Sequence, residues 1–287
     1  MHTLVKWTAL TLAICLPLSA QAHRAWMLPS ATVLSGEDPW ITVDAAVSND
    51  LFYFEHFPMR IENVGDVSEQ PAGQRARQAA KLQVTAPDGS EVKPQNGAIG
   101  RYRSTFDLHL TEKGTYKLAI ANNGLFASYK KDGEMQRWMG SAEDFAKQVP
   151  ADAEELKVTQ RSSRMEVFVT SGNPDDAVLQ TTGAGLELAP ITHPNDLFAG
   201  EAAEFKMLLD GKPAAGAKVH VIPGGNRYRD ELGEIKTTSD AEGKISITWP
   251  EAGMYWLEAE ISSAEGVSAP ATERRASYSA TLEVLAP

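Results

Sequence analysis

The chain is nearly devoid of cysteine. Its single thiol, Cys15, lies in an apolar stretch close to the start. The chain beyond Cys15 can therefore carry no internal disulfide, no thiolate nucleophile and no thiolate metal ligand. Any metal site there must be built from nitrogen and oxygen donors. Long apolar runs are equally scarce. The stretch from Trp7 to Leu18 is too short to span a bilayer, and no later segment approaches the ~18 apolar residues of a membrane helix, so no stable membrane insertion is expected. Positive charge is the minority sign, with 27 Lys and Arg against 38 Asp and Glu and a formal net charge of −11. That balance repels phosphate backbones and anionic lipid and argues against a nucleic-acid partner. Catalytic signatures are missing as well. There is no G-x-S-x-G and no H-E-x-x-H, and Pro223-Gly224-Gly225-Asn226 does not lead into a helix as a phosphate-binding loop would. These absences point away from an enzyme.

What is present begins with a leader. One positive charge, Lys6, precedes the apolar run, and Ala20-Gln21-Ala22 forms an A-x-A cleavage site. This predicts a secretory signal peptide over residues 1–22 and a periplasmic protein beginning at His23. Ile14 is bulky where a lipoprotein site wants a small residue, which argues against lipidation at Cys15. Cleavage after Ala22 would leave an α-amine and an imidazole on one Cα. The amine titrates near about 7.7–8.0 and the ring near about 6.5, so both can yield protons to a metal at neutral pH. Nitrogen donors without sulfur suit Cu(II), Ni(II), Co(II) or Zn(II).

The body of the chain reads as all-β. Alternating runs fall at Trp40–Val47, Lys81–Ala86, Arg101–Leu110, Thr115–Ile120 and Arg164–Thr170. Ser141-Ala142-Glu143-Asp144 reads as a helix start that Pro150 stops early. Ser171 to Gly185, rich in Gly, Pro, Asp and Thr, reads as a linker. Beyond it, short strands at 186–191, 202–209, 217–222, 234–238, 244–249, 254–260 and 277–285 alternate with Gly-containing turns. The expected architecture is two immunoglobulin-like β-sandwich domains, over 23–180 and 181–287. The first carries long loop insertions and a short helix. A weak internal repeat supports related units. Leu34-Ser35-Gly36-Glu37 matches Phe198-Ala199-Gly200-Glu201, and Gly114-Thr115-Tyr116-Lys117-Leu118 matches Gly253-Met254-Tyr255-Trp256-Leu257.

Histidine is the residue type on which chemistry could rest. His109 and His220 sit inside alternating strands and read as solvent-facing. His56, beside Glu55 on an aromatic connection, and His193, in Thr192-His193-Pro194-Asn195-Asp196, lie in loops next to carboxylates. Each is either a ligand or a hydrogen-bonded structural histidine. His23 differs because of its terminal amine. The charged run Asn226 to Glu231 reads as a solvated hairpin tip or an anion- or partner-binding loop.

Several of these segments together carry a family resemblance. They are H-x-x-W-x-L-P-S at 23–30, Gly185 to Leu188, Thr192-His193-Pro194-Asn195-Asp196-Leu197, Leu209-Asp210-Gly211-Lys212-Pro213 and Thr238-Ser239-Asp240-Ala241-Glu242-Gly243. The chain resembles a bacterial periplasmic family of domains of unknown function often labelled nickel/cobalt uptake (NikM-like) periplasmic components. The resemblance implies export, β-sandwich domains and association with metal uptake, sometimes beside outer-membrane receptors. His23, His56 and His193 match that family's recurring histidines.

The first functional expectation is therefore an exported protein that binds a divalent transition metal (Ni, Co, Cu or Zn). His23, His56 and His193 would meet at the domain junction, and an outer-membrane receptor or inner-membrane transporter would be the partner. The alternative is a non-catalytic module that docks a receptor or envelope partner through aromatic loops at 51–57 and 125–139. A third reading is a copper oxidase that uses the terminal-histidine chelate.

Overall fold

A computed structural model describes residues 23–65 and 79–287. The leader expected over 1–22 and most of the polar segment 62–80 lie outside those residues. In chain order the first half comprises β1 (Arg24–Pro29), β2 (Val33–Leu34), β3 (Trp40–Ser48), β4 (Phe57–Pro58), β5 (Leu82–Thr85), β6 (Gln95–Ile99), β7 (Ser104–His109), β8 (Gly114–Lys131), β9 (Glu134–Gly140), helix α1 (Ala142–Gln148) and β10 (Glu154–Ser171). The second half comprises β11 (Leu186–Pro190), β12 (Ala202–Leu209), β13 (Lys212–Pro213), β14 (Lys218–Pro223), β15 (Ile235–Thr238), β16 (Lys244–Thr248), β17 (Gly253–Ser263) and β18 (Glu273–Val284). The fold is all-β, as expected, and α1 is the short helix, capped where Ser141 Oγ accepts the N–H of Asp144.

In the first half, the sheet β1-β3-β7-β6 packs on β5-β8-β10, and β2 pairs in parallel with β10. In the second half, β11-β12 with β16 and β13 packs on β15-β14-β17-β18. Each half has the strand order of an immunoglobulin-like sandwich. The two halves do not stay separate. Thr159–Val167 of β10 pairs in parallel with Glu273–Thr281 of β18, so one sheet runs β15-β14-β17-β18-β10-β8-β5 through both.

The register of that pairing fixes the layering. Side chains alternate between faces along a strand, and paired residues share a face. Met165 pairs with Ile120 on one side and Ser279 on the other. Met165, Val167 and Val169 line the first core, under β1-β3-β7-β6. Tyr278, Ala280 and Leu282, one residue out of phase with Ser279, line the second core, under β11-β12-β16. The two covering sheets therefore lie on opposite faces of the shared sheet. Each leaves a notch where its own edge meets the other half's uncovered face.

The internal repeat has a structural basis. Tyr116 and Tyr255 are fully buried at the starts of β8 and β17. Each hydroxyl turns back to the carbonyl four residues upstream, Tyr116 Oη to Glu112 O at 3.0 Å and Tyr255 Oη to Glu251 O at 2.8 Å. These are the two tyrosine corners of the sandwiches. The glycine that opens each motif has positive φ, +125° at Gly114 and +146° at Gly253. At Gly114 a Cβ would also fall 2.9 Å from the Pro87 ring.

The region 125–139 differs from expectation. It is strand rather than loop, because Leu125, Ala127 and Tyr129 alternate into a small core with Val149 and Val158. The charged residues that interrupt this alternation face solvent and do not break the strand. Removing either corner hydroxyl strands a carbonyl and keeps the ring. Tyr116→Phe and Tyr255→Phe should each lower stability by about 1–2 kcal/mol in urea unfolding, whereas Tyr228→Phe, at an exposed tyrosine, should change nothing measurable.

Candidate functional site

Strand β3 brings two of the three expected histidines together. Its end pairs with β1 on one side, Arg24 opposite Ser48, and with β4 on the other, Phe57 opposite Val47. His23 and His56 immediately precede those flanking strands, so both rings emerge at the same end of the sheet. Their ring centroids are 4.0 Å apart, and Nε2 of His23 faces Nε2 of His56 in hydrogen-bonding contact. Both residues are exposed, and the Phe57 ring packs beside them at 6.1 and 5.7 Å. Glu55 is not part of this pair. Its Oε1 accepts the N–H groups of Asn49 (2.7 Å) and Asp50 (2.9 Å), which closes the loop that delivers His56.

His193 stands apart. Its Nδ1 accepts the N–H of Asn195 at 3.0 Å, which leaves Nε2 as the N–H that donates to Asp175 O at 3.0 Å, with Thr115 Oγ1 at 3.1 Å. Both ring nitrogens are used. The same cluster joins Thr115, Thr170 and Asn195 across the start of β8, at the opposite end of the first sandwich from His23. The expectation that His193 meets His23 and His56 is thus corrected: the loop histidine pins the second sandwich to the first. Among the described residues, no three His, Cys, Asp or Glu side chains gather as a metal-holding group. His109 stacks on Trp40 with centroids 4.3 Å apart and bonds Asp38. His220 is not simply solvent-facing. It is half-buried, and its Nδ1 meets Glu234 Oε1 at 2.6 Å.

The aromatic connection 51–57 also turns inward. Leu51, Trp26 and Ala46 from the first half form one apolar cluster with Ile222 and Trp256 from the second, and Phe52 and Phe54 pack against it. Around its margin Arg227 lies over the Tyr53 ring at 4.0 Å, and Asn226 Nδ2 donates to Asp50 Oδ1 at 3.1 Å. The charged run 226–231 is therefore part of the joint between the halves. This cluster closes one end of a notch.

From there a hollow of about 620 Å³ opens along the shared sheet. Its walls include His23, Arg24, Trp256, His220, Glu258, Glu260 and Ser279. The notch on the opposite face is filled. Arg164 Nη1 reaches Glu166 at 3.2 Å, Arg164 Nη2 lies 3.5 Å from Glu187, and Tyr278 Oη donates to Glu166 at 3.0 Å. Burial raises both Glu166 and Tyr278 above their ordinary values.

In the open notch, burial, and next the nearby Glu260, push the Glu258 carboxyl up from 4.5 to about 7, against the opposing pull of Arg24 and His220. A carboxyl whose folded value is raised binds its proton more tightly when folded, so its effect costs nothing below pH 4.5. Stability is then lost as pH climbs from 4.5 through about 7. Glu258→Gln should therefore match the wild type in urea unfolding near pH 4. At pH 8 it should be the more stable protein, by on the order of 1 kcal/mol after solvent screening.

No curated protein matches the chain. Among solved structures, the D0-D1 domain of intimin is similar at 12% identity over 90% of this chain and 97% of its own, with a TM-score of 0.22. Dimeric latent PorU from Porphyromonas gingivalis is similar at 12% identity over 93% of this chain and 21% of its own, with a TM-score of 0.18. A family model matches residues 20–263, and its description names neither a metal nor an activity. The chain belongs to the family described as a domain of unknown function, DUF4198.

Proposed function

We propose that the protein is an exported periplasmic binder of a divalent transition metal, with the His23 and His56 imidazoles as its donors. Cleavage behind Ala22 adds the His23 α-amine as a third nitrogen. The observation that carries this reading is the pair of exposed rings whose Nε2 atoms face one another across the end of β3. Two or three nitrogens without sulfur fit Ni(II), Co(II), Cu(II) or Zn(II), at about 2.0–2.1 Å per bond. The remaining positions stay open at an exposed edge, which suits a cargo that is passed on. This accords with a nickel/cobalt uptake role beside a receptor or transporter. His193 has no part in it, since both its nitrogens are engaged.

The alternative, a module that docks an envelope partner, rests on one feature. Met135 and Met139, 55% and 73% exposed, project from the β8–β9 hairpin, whereas the 51–57 aromatics are packed inside the joint.

Metal titration of the secreted protein separates the two readings. His23→Ala and His56→Ala should each weaken binding at least about tenfold, and an N-terminally extended form should weaken it too. His193→Ala should keep full affinity while losing stability. Equal affinity in the wild type, His23→Ala and His56→Ala would refute the site and leave the docking module.

A further inference from the structure

The open notch continues past the hollow beside His23 into a second one, of about 1080 Å³, and the two share Asn122, Ser163, Glu260 and Ser277. Together they form one trough on the uncovered face of the shared sheet. Strand register shows its floor as rows of side chains. The row nearest the apolar joint is Ile120, Met165, Ser279, Glu258 and His220. The next is Asn122, Ser163, Ser277, Glu260 and Lys218, and the third is Gly124, Arg161, Arg275 and Ser262. The central strands carry serines, so the floor is low. The walls are longer: Arg24 on the β1 edge, and Met139 of β9 followed by Ser141 and Asp144.

Charge along the trough is uneven. Glu258 and Glu260 occupy its inner end, with Arg24 over the Trp256 ring, His220 held by Glu234, and Lys218 paired beside Glu260 as the neighbouring basic groups. Arg161 and Arg275 occupy the outer end, where the wall carboxylate Asp144 accepts the Ser141 hydroxyl. Arg161 stacks on Phe126 at 4.4 Å, and Arg275 meets Glu273 at 3.1 Å, so each guanidinium is oriented and keeps further N–H donors. Among the described residues, none of Glu258, Glu260, Asn122, Ser163, Ser277 and Ser279 makes a side-chain hydrogen bond or ion pair. Six polar side chains thus face one hollow with their bonding capacity unused. Most surface carboxylates need no partner, but Glu258 is half-buried and gains from one.

We propose that this trough binds a short peptide by its two charged ends, the ammonium at Glu258 and Glu260 and the carboxylate at Arg161 and Arg275. Rows two residues apart on a strand are separated by about 6.6 Å, so the carboxylate and guanidinium rows lie roughly 7–13 Å apart. An extended tripeptide spans about 10 Å. Its backbone amides would lie over Asn122, Ser163 and Ser277, which offer both donors and acceptors and select no particular side chain. The trough would thus recognise termini and length rather than sequence. The proposal does not depend on the metal site.

The test is calorimetric titration of the chelator-treated secreted protein with trialanine, N-acetyl-trialanine and trialanine amide. Trialanine should bind, and removing either terminal charge should weaken binding about tenfold, the usual worth of a charge-assisted hydrogen bond. Glu260→Gln should abolish the preference for the free amine, and Arg275→Gln the preference for the free carboxylate. Both positions are at the surface, and unchanged thermal unfolding will confirm that both variants fold. Ser277→Leu, which raises the trough floor, should abolish binding of all three peptides. No heat of binding for trialanine up to ~10 mM, equal affinity for the three peptides, or full binding by Ser277→Leu would each overturn the proposal.

Discussion

The parallel pairing of β10 with β18 governs everything else in this molecule. Two sandwiches joined by a linker would meet through whatever surfaces happened to touch. Here the last strand of one is bonded over nine residues to the last strand of the other, Thr159–Val167 against Glu273–Thr281. Edge strands are otherwise exposed to unwanted pairing, and here each edge protects the other. The joint is thus made of backbone hydrogen bonds as well as side chains, and independent motion of the halves would break a ladder.

The register of that ladder has a second consequence. A shift by one residue exchanges the two faces of a strand. Because Met165 pairs with Ser279 and not with Tyr278, the residues that are core in one half are surface in the other. Two notches result from the pairing alone, and the chain treats them differently. One is filled by Arg164, Glu166, Glu187 and Tyr278, a buried network of hydrogen bonds and ion pairs in which Arg164 Nε stays unpaired. The other is floored with serines, and its Glu258 and Glu260 make no side-chain hydrogen bond or ion pair. A protein that wanted only rigidity would have filled both.

Much of the fold is legible in the sequence because its signals are local. The G-x-Y-x-L repeat marks the two tyrosine corners, since a corner needs a glycine at positive φ, then a tyrosine whose hydroxyl reaches back. The helix cap at Ser141 is equally local. The β10–β18 pairing leaves no such mark. A strand alternates in the same way whatever lies at its edge, so the shared sheet and its notches are invisible in the sequence. In the structure β10 spans 18 residues, against an expected run of Arg164–Thr170, and half of it pairs with β18. His193 misleads for a related reason. A loop histidine beside Asn195 and Asp196 looks like a ligand, but Asn195 turns its N–H onto Nδ1 and closes the ring into the scaffold.

The nearness of His23 and His56 cannot be read from spacing, because it arises from two strands flanking the same stretch of β3. Its energetics bear on the proposed metal reading. One exposed hydrogen bond between neutral imidazoles contributes about 0.5–1.5 kcal/mol. Ordering a terminal residue and its side chain costs about as much. If the chain is cleaved behind Ala22 as proposed, the contact alone holds the new terminus only marginally. A cation that accepts both nitrogens would turn a marginal contact into a fixed one and tie the terminus to β4. On that reading, metal binding and order at the terminus are linked. The same edge, carrying His23 and Arg24, walls the trough, so on that reading the state of the His23 edge would be felt by any ligand bound along the shared sheet.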